Sequence, residues 1–399
     1  MSNNVTRVMI LTADAGFGHR STALAVSEAL KIRYGDQVDP VIVNPLNSPQ
    51  TPAFLRDSQT DYDMWVKQVP ELYKFFYEAS EVIIPTRVLE DALAVLLYES
   101  IKESFTTYKP DVVLTTYPLY QAAISRYYKT HRVHIPFYTV ITDLVSVHRL
   151  WFHSKVDGCL VPTRIVAEMA LSNNVAADKV IITGIPVYPD IALETRPVDA
   201  LRAELGWKSD VTTVLAVGSR RMEKLPEMLN VVNHFGGSLQ LAVVAGKNEA
   251  LFQQLEKEHW HIPVHSYDFV ENMPALMKAS NLIITKAGGL IVTESLACGL
   301  PLLLTEVIPG QETGNAEYVK NTQAGFVINS PIELLEALQH LLENNGALLR
   351  QVAANARRVG RPEAAFQVAE ILWKAALAHA EHHPAHHTHP SKPGSKSKL

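Results

Sequence analysis

The stretch Asn281–Lys320, NLIITKAGGLIVTESLACGLPLLLTEVIPGQETGNAEYVK, decides the fold. Leu282–Thr285 is a short apolar run that reads as a buried strand. Lys286-Ala287-Gly288-Gly289 then turns with no side-chain bulk at two successive positions, and Ile291–Cys298 reads as a helix carrying Glu294. Gly299 stands where a helix C-cap glycine belongs, and Leu302–Thr305 is the next strand. Strand, glycine turn, helix and strand make one unit of a parallel α/β sheet. The glycines let a ligand approach the backbone, and the amides and dipole of the helix start favour phosphate. Glu294 is placed to accept hydrogen bonds from vicinal hydroxyls such as those of a ribose. Pro309–Asn315 puts amides and carboxylates on a loop at the sheet's carboxyl edge, where open α/β sheets bind ligands. Such groups suit sugar hydroxyls, which both donate and accept. The plainer alternative is an ordinary α/β turn followed by a polar loop.

Composition bounds the rest. The chain has 399 residues, 47% hydrophobic and 19% charged, enough for two or three domains with full cores. A net charge of −5 gives no reason to expect nucleic acid as a partner. Cys159 and Cys298 sit in apolar surroundings and read as packing residues, not as a disulfide or metal framework. The start lacks the pattern of a signal peptide, and no apolar run approaches the length that spans a bilayer. The expectation is a soluble chain, or one attached to a membrane surface.

Toward the N-terminus, Val5–Thr12 reads as the first strand, emptying into Ala13-Asp14-Ala15-Gly16-Phe17-Gly18-His19-Arg20 before a helix from Ser21 to Tyr34. The third glycine of a dinucleotide fingerprint is missing, since Ala23 and Leu24 stand in the following turn. His19 lies at the mouth of the turn; a helix-capping histidine is the alternative reading. Pro49–Ser100 carries Trp65, Tyr73, Phe75, Phe76 and Tyr77, as core or as an aromatic and basic cluster suited to lipid headgroups. Val88–Leu97 reads as an apolar helix. Strands follow at Pro110–Thr116, Pro136–Thr142, Val156–Val161 and Val180–Thr183. The second of these delivers Asp143, followed by His148, Trp151 and His153. An Asp at a strand end near two histidines suits a base or an acceptor contact, and no further Cys or His stands at zinc spacing. Later strands read as Val211–Val217, Leu239–Ala245 and Gly325–Ile328, with helices over Pro331–Asn344, Gly346–Val359 and Pro362–Ala380. The tail from His382 is rich in His, Pro, Ser and Lys and is expected to be disordered.

The ordered set Lys286, Gly288, Gly289, Glu294, Pro309, Gln311, Glu312 and Asn315 resembles the nucleotide-sugar-binding half of GT-B glycosyltransferases. It is most similar to the family of monogalactosyldiacylglycerol synthases and processive diacylglycerol glucosyltransferases, with the peptidoglycan enzyme MurG as a more distant relative. The Gly-x-Gly-His turn ending at His19, the run Thr142, Asp143, His148 and Trp151, and Gly184-Ile185-Pro186 match the family elsewhere. Asp61-Tyr62-Asp63 mimics the metal motif of the other large glycosyltransferase fold and reads as accidental.

The resemblance implies an α/β GT-B fold of two doubly wound, Rossmann-like domains facing a cleft. Residues 1–187 would form the acceptor domain, 188–204 a linker and 205–360 the nucleotide-sugar domain. Residues 361–380 would be a crossover helix packing back on the first domain, and 381–399 the tail. The implied chemistry is inverting transfer of a hexose from a UDP-sugar to diacylglycerol at the cytoplasmic face of a membrane. It would use no metal, no other cofactor and no nucleic acid. His19 or Asp143 would be the base, and Gly16, Gly18, His148 and Trp151 would meet the acceptor. Gly218, Arg220, Phe269, Val270, Lys286, Gly288, Gly289, Glu294, Gln311, Glu312 and Asn315 would hold the donor. Two departures stand out: relatives carry several glycines where this chain has Gly218-Ser219-Arg220-Arg221-Met222-Glu223-Lys224, and an arginine near Tyr188. Arg220, Arg221 or Lys224 is the expected cationic substitute. A UDP-sugar epimerase and a non-catalytic nucleotide-sugar or lipid-binding protein are the competing readings.

Overall fold

The apolar runs between turn residues become two parallel six-stranded sheets, each with helices packed on it. The computed structural model describes residues 5–14, 17–57, 86–219, 222–309 and 312–382. Gly16, Trp65, Tyr73, Phe75, Phe76, Tyr77, Arg220, Arg221, Gly310 and Gln311 lie outside the described residues. So do Asp61-Tyr62-Asp63 and the tail beyond His382. The chain divides into two units: 1–142 with 147–188 and 364–399, and 143–146 with 189–363.

The first unit runs β1 Thr6–Leu11, α1 Phe17–Tyr34, β2 Val38–Val43, α2 Thr86–Leu96, α3 Tyr98–Tyr108, β3 Val112–Thr115 and α4 Gln121–His131. It continues with β4 Phe137–Val140, β5 Gly158–Val161, α5 Arg164–Ser172 and β6 Val180–Ile182. The strand order is β2-β1-β3-β4-β5-β6, all parallel. Sheet strands covered on both faces need no polar side, so β3 and β5 are buried at every position. β2 has no counterpart in the sequence reading. Its Pro40 pairs with Val8, and a proline inside a strand is tolerated at an edge, which is where β2 lies.

The second unit runs α6 Val198–Leu205, β7 Thr212–Val217, α7 Leu225–Asn233, β8 Leu239–Val244, α8 Glu249–Lys257, β9 Val264–Tyr267 and α9 Met273–Ala279. It continues with β10 Leu282–Lys286, α10 Gly289–Ala297, β11 Leu302–Glu306, α11 Thr313–Asn321, β12 Gly325–Val327 and α12 Pro331–Val359. Its order is β12-β11-β10-β7-β8-β9. The break expected between two late helices is present: inside α12, Asn344, Asn345 and Gly346 have φ of 51°, 54° and 71°. The closing helix α13, Ala364–His382, belongs to the first unit and packs along α1. Trp373 stacks on Tyr34 at 4.3 Å, and Arg33 donates to the Phe366 carbonyl and to Glu370.

The stretch 188–204, expected as a linker, carries a short helix Asp190–Leu193 and most of α6, which is anchored in the second unit by Arg202, 4% exposed. The guanidinium donates to the carbonyls of Ala279 (2.9 Å) and Ser209 (2.8 Å) and to Asn281 Oδ1 (2.7 Å). These partners lie far along the chain, so no local pattern announced them.

In each sheet the strand order reverses once. The crevice beyond the carboxyl ends of the strands at that point is the natural ligand site of a doubly wound sheet. In the first unit it lies between β1 and β3, and in the second between β7 and β10.

Candidate active site

At the β1/β3 switch point, β1 ends in Thr12-Ala13-Asp14 and β3 in Thr115-Thr116-Tyr117. His19 sits in the first turn of α1 above both. The Thr116 hydroxyl lies 3.0 Å from the His19 carbonyl and 2.9 Å from Thr12 Oγ1, tying the helix start to both strands. His19 Nδ1 is 3.0 Å from Thr142 Oγ1. The ring meets Tyr117 edge-on at 5.0 Å and lies 6.0 Å from Trp151. Burial among these groups lowers the His19 pKa from 6.5 to about 4, opposed in part by a hydrogen bond to the Thr116 backbone. The imidazole is therefore neutral at neutral pH and carries a lone pair.

The other acceptor-side candidates divide. Trp151 is 2% exposed and belongs to the hydrophobic core, with its ring beside His19. Its ring packs beside the histidine from the core side. His148 Nδ1 accepts from the Leu150 backbone N–H at 3.2 Å and so caps its own short turn. Gly18 has no atom within 4 Å of where a Cβ would stand. Asp143 is half-buried and follows directly on Thr142. His153, also singled out, has its pKa lowered to about 4 by burial. Asp14 escaped the sequence reading. It accepts from Asn44 Nδ2 and Arg20 Nη1, both at 3.0 Å, at the carboxyl end of β1. A carboxylate inside the glycine-bearing turn was the signal.

At the β7/β10 switch point, the chain leaves β10 at Lys286 and enters α10 through Gly288, whose φ and ψ are −67° and 138°. No side chain caps this helix start, so its first amides have no N-cap side-chain acceptor. A Cβ on Gly288 would stand 2.5 Å from Lys286 Nζ, so the glycine is what lets that ammonium cross the turn. Lys286 pairs with Glu312 Oε1, while Glu312 Oε2 accepts from the Ile308 backbone N–H at 3.2 Å. Glu312 is 3% exposed. Each of its oxygens thus has a partner within the protein. Asn315 behaves alike, donating from Nδ2 to the Ala287 carbonyl at 3.0 Å. Together these two side chains staple α11 and the preceding loop to the glycine turn.

Glu294 differs. It sits midway along α10, half-buried, and its carboxyl has no hydrogen bond among the described residues. Burial raises its carboxyl pKa from 4.5 to about 7. A carboxyl in that state is an unfilled acceptor.

Gly218 is buried, and a Cβ there would meet Leu251 at 2.8 Å and Leu225 at 3.1 Å. It is needed for packing at the β7 exit. Glu306, missed in the sequence, ends β11 and accepts from the Lys224 backbone N–H at 2.8 Å. It ties the end of the glycine-poor loop after Gly218 to β11, two strands away from β7 across the sheet. Phe269 is 55% exposed after β9, with Lys247 Nζ 4.3 Å from its ring centroid, and Val270 beside it is half-buried. The described residues contain no group of three or more His, Cys, Asp or Glu able to hold a metal ion. No described helix is long and apolar enough to cross a membrane.

Comparison with known proteins fits this geometry unit by unit. The sequence model of the monogalactosyldiacylglycerol (MGDG) synthase family matches residues 19–187, and that of the glycosyltransferase family 28 C-terminal domain matches residues 212–368. The chain is 33% identical over 383 residues to monogalactosyldiacylglycerol synthase 3, chloroplastic, of Arabidopsis thaliana, covering 93% of this chain and 82% of that protein. It is 34% identical over 376 residues to synthase 2 of the same plant, covering 92% and 80%. MurG of Acinetobacter baumannii superposes with a TM-score of 0.60 over 92% of this chain and 99% of its own, at 16% identity. That likeness is one of fold, and the fold is GT-B. With both units matched and identity sustained along most of a synthase's length, the chain belongs to the monogalactosyldiacylglycerol synthase family.

Proposed function

We propose that this protein transfers a hexose, galactose by its kinship, from a UDP-sugar to diacylglycerol with inversion at the anomeric carbon. The observation that carries this reading is Glu294, a half-buried carboxyl without a hydrogen-bond partner on the helix that begins at the glycine turn. Ribose hydroxyls supply the two donors it lacks, and the uncapped start of α10 with Lys286 receives the diphosphate. Phe269 and Val270 flank the base, and Gln311 is the remaining candidate for the sugar. The acceptor hydroxyl attacks the anomeric carbon as His19 takes its proton, and UDP departs with the bonding pair. Helix dipole and ammonium stabilise the charge growing on the diphosphate, with no metal or other cofactor required. Because diacylglycerol resides in a bilayer, the enzyme works at a membrane surface, on the cytoplasmic face in our reading.

The epimerase reading is disfavoured because residues 19–187 match the synthase family and not only a generic nucleotide-sugar domain. The test is a donor-by-acceptor assay on diacylglycerol liposomes offered UDP-galactose, UDP-glucose or UDP-N-acetylglucosamine. A galactolipid formed from UDP-galactose, with the anomeric configuration inverted, is the expected result. UDP release without any glycolipid overturns the acceptor, and epimerised donor without transfer would restore the rival.

A further inference from the structure

We propose that the second unit carries a phosphate-binding site at the edge of its sheet opposite the donor crevice. A cavity of about 460 Å³ opens there beside Ser280 and Asn281, which lead into β10, and Leu300, shortly before β11. Both strands run away from it, so the cavity lies at their amino ends and belongs to no part of the donor site.

The argument rests on how its cations are held. Lys278 donates to the Glu194 backbone carbonyl, and Arg350 donates through Nη1 to the Asn345 carbonyl. The stem of Arg357 lies against Gly299: a Cβ there would stand 2.3 Å from Arg357 Cγ, so only a glycine admits the arginine in that position. Lys278 and Arg350 are oriented by backbone carbonyls, and no salt bridge within 4 Å joins any of the three to a carboxylate among the described residues. Glu194 is the one carboxylate lining the cavity, and it is engaged by Arg196, which also reaches Glu204. Hydrogen bonds from Arg196, with the charges of Arg196 and Lys278 beside it, hold the Glu194 carboxyl down at about 2. It therefore stays ionised and meets part of the Lys278 charge, leaving Arg350 and Arg357 as the cations with no carboxylate beside them among the described residues. Lys278 keeps two of three N–H donors, Arg350 four of five, and Arg357 all five for a further acceptor.

Arginine forks and an ammonium around a pocket of this size match the oxygens of a phosphate group. The shared chemistry is a phosphate monoester or free phosphate; the source is either a soluble anion or a lipid headgroup. The site is independent of the catalytic reading given above.

The test uses the full chain kept saturated with UDP, so that the donor crevice is filled. Binding of inorganic phosphate is followed by phosphorus NMR for the wild type and for Lys278→Gln/Arg350→Gln/Arg357→Gln. Saturable binding by the wild type, weakened about tenfold or more in the triple variant with unchanged UDP affinity, is expected. If the triple variant loses UDP affinity through misfolding, Arg350→Gln alone, on the exposed face of α12, carries the same comparison with a smaller loss. Absence of saturable phosphate binding, or equal binding by wild type and variants, overturns the proposal. Flotation with phosphatidylcholine vesicles, with and without phosphatidate, then assigns the source. Phosphatidate-dependent flotation lost in the variant points to a lipid headgroup. Flotation unaffected by the variant, with phosphate binding lost, points to a soluble anion.

Discussion

His19 in the first unit and Glu294 in the second are both displaced by burial, in opposite directions and in different company. Burial holds the imidazole neutral, with its pKa near 4, and pushes the carboxyl up to about 7. His19 is surrounded by partners: Thr142 on one ring nitrogen, the Thr116 backbone, and the faces of Tyr117 and Trp151. Glu294 has none among the described residues. The contrast separates two ways of building a site. A group that must keep one orientation while a proton moves is fixed by its neighbours, whereas a group that must receive a ligand is left unfilled, at a cost in stability.

The largest effect expected concerns chemistry alone. His19→Ala should lower glycolipid formation by about 10²- to 10⁴-fold while UDP affinity stays as it was. Turnover that survives the change would remove His19 as base and turn attention to Asp143. Next come the staples. Removing one partner of a buried ion pair leaves the other uncompensated, so Glu312→Gln should destabilise the second unit by about 2 to 3 kcal/mol in denaturant unfolding. That figure sits at or below the low end of the usual range of about 3 to 5 kcal/mol because the Lys286 side chain is 22% exposed and solvent offsets part of the loss. Lys286→Met/Glu312→Leu should recover part of that loss, and a Glu312→Gln protein of wild-type stability would deny the pair a structural role.

Third, Glu294→Ala should weaken UDP binding ten- to a hundredfold, about 1.5 to 3 kcal/mol for hydrogen bonds to an ionised carboxyl. Ribose hydroxyls favour that ionised form, so wild-type UDP affinity should fall about tenfold from about pH 8 to about pH 6, and Glu294→Gln should flatten this component. A pH profile identical in wild type and Glu294→Gln would detach Glu294 from the donor.

The smallest net effect is on stability against pH, because the two groups oppose one another. The folded pKa of His19, about 4, lies below its ordinary 6.5. Its contribution is therefore complete above pH 6.5 and is lost as pH falls toward 4. The folded pKa of Glu294, about 7, lies above its ordinary 4.5, so its contribution is complete below 4.5 and is lost as pH rises through 7. Thermal unfolding of His19→Asn should be flatter than wild type on the acid side, and that of Glu294→Gln flatter toward neutrality. Equal slopes in either variant and the wild type would dissolve the contrast.

What could be read without coordinates was whatever the chain encodes locally. Runs such as Leu282–Thr285, the glycine turn that follows and the helix carrying Glu294 are set by hydrophobic periodicity and turn chemistry over a few residues, and each appears where expected. The late break at Glu343–Gly346 is local too, since consecutive Asn and Gly tolerate left-handed φ. β2 was hidden because Pro40 argues against a strand until an edge position makes its missing N–H harmless. Family membership was likewise legible, because the motifs stand in order along the chain.

Tertiary structure decided which polar groups are already spent. Glu312, Asn315 and Glu294 look alike in sequence as donor contacts, yet the first is engaged by Lys286 and the Ile308 amide, the second donates to the Ala287 carbonyl, and the third is unfilled. Trp151 became core beside His19, and Arg202 anchors α6 to residues far along the chain. The physical reason is common to all of them. A backbone's local preference is settled by its neighbours in sequence, but a side chain's hydrogen bonds and burial are settled by elements that only folding brings within reach.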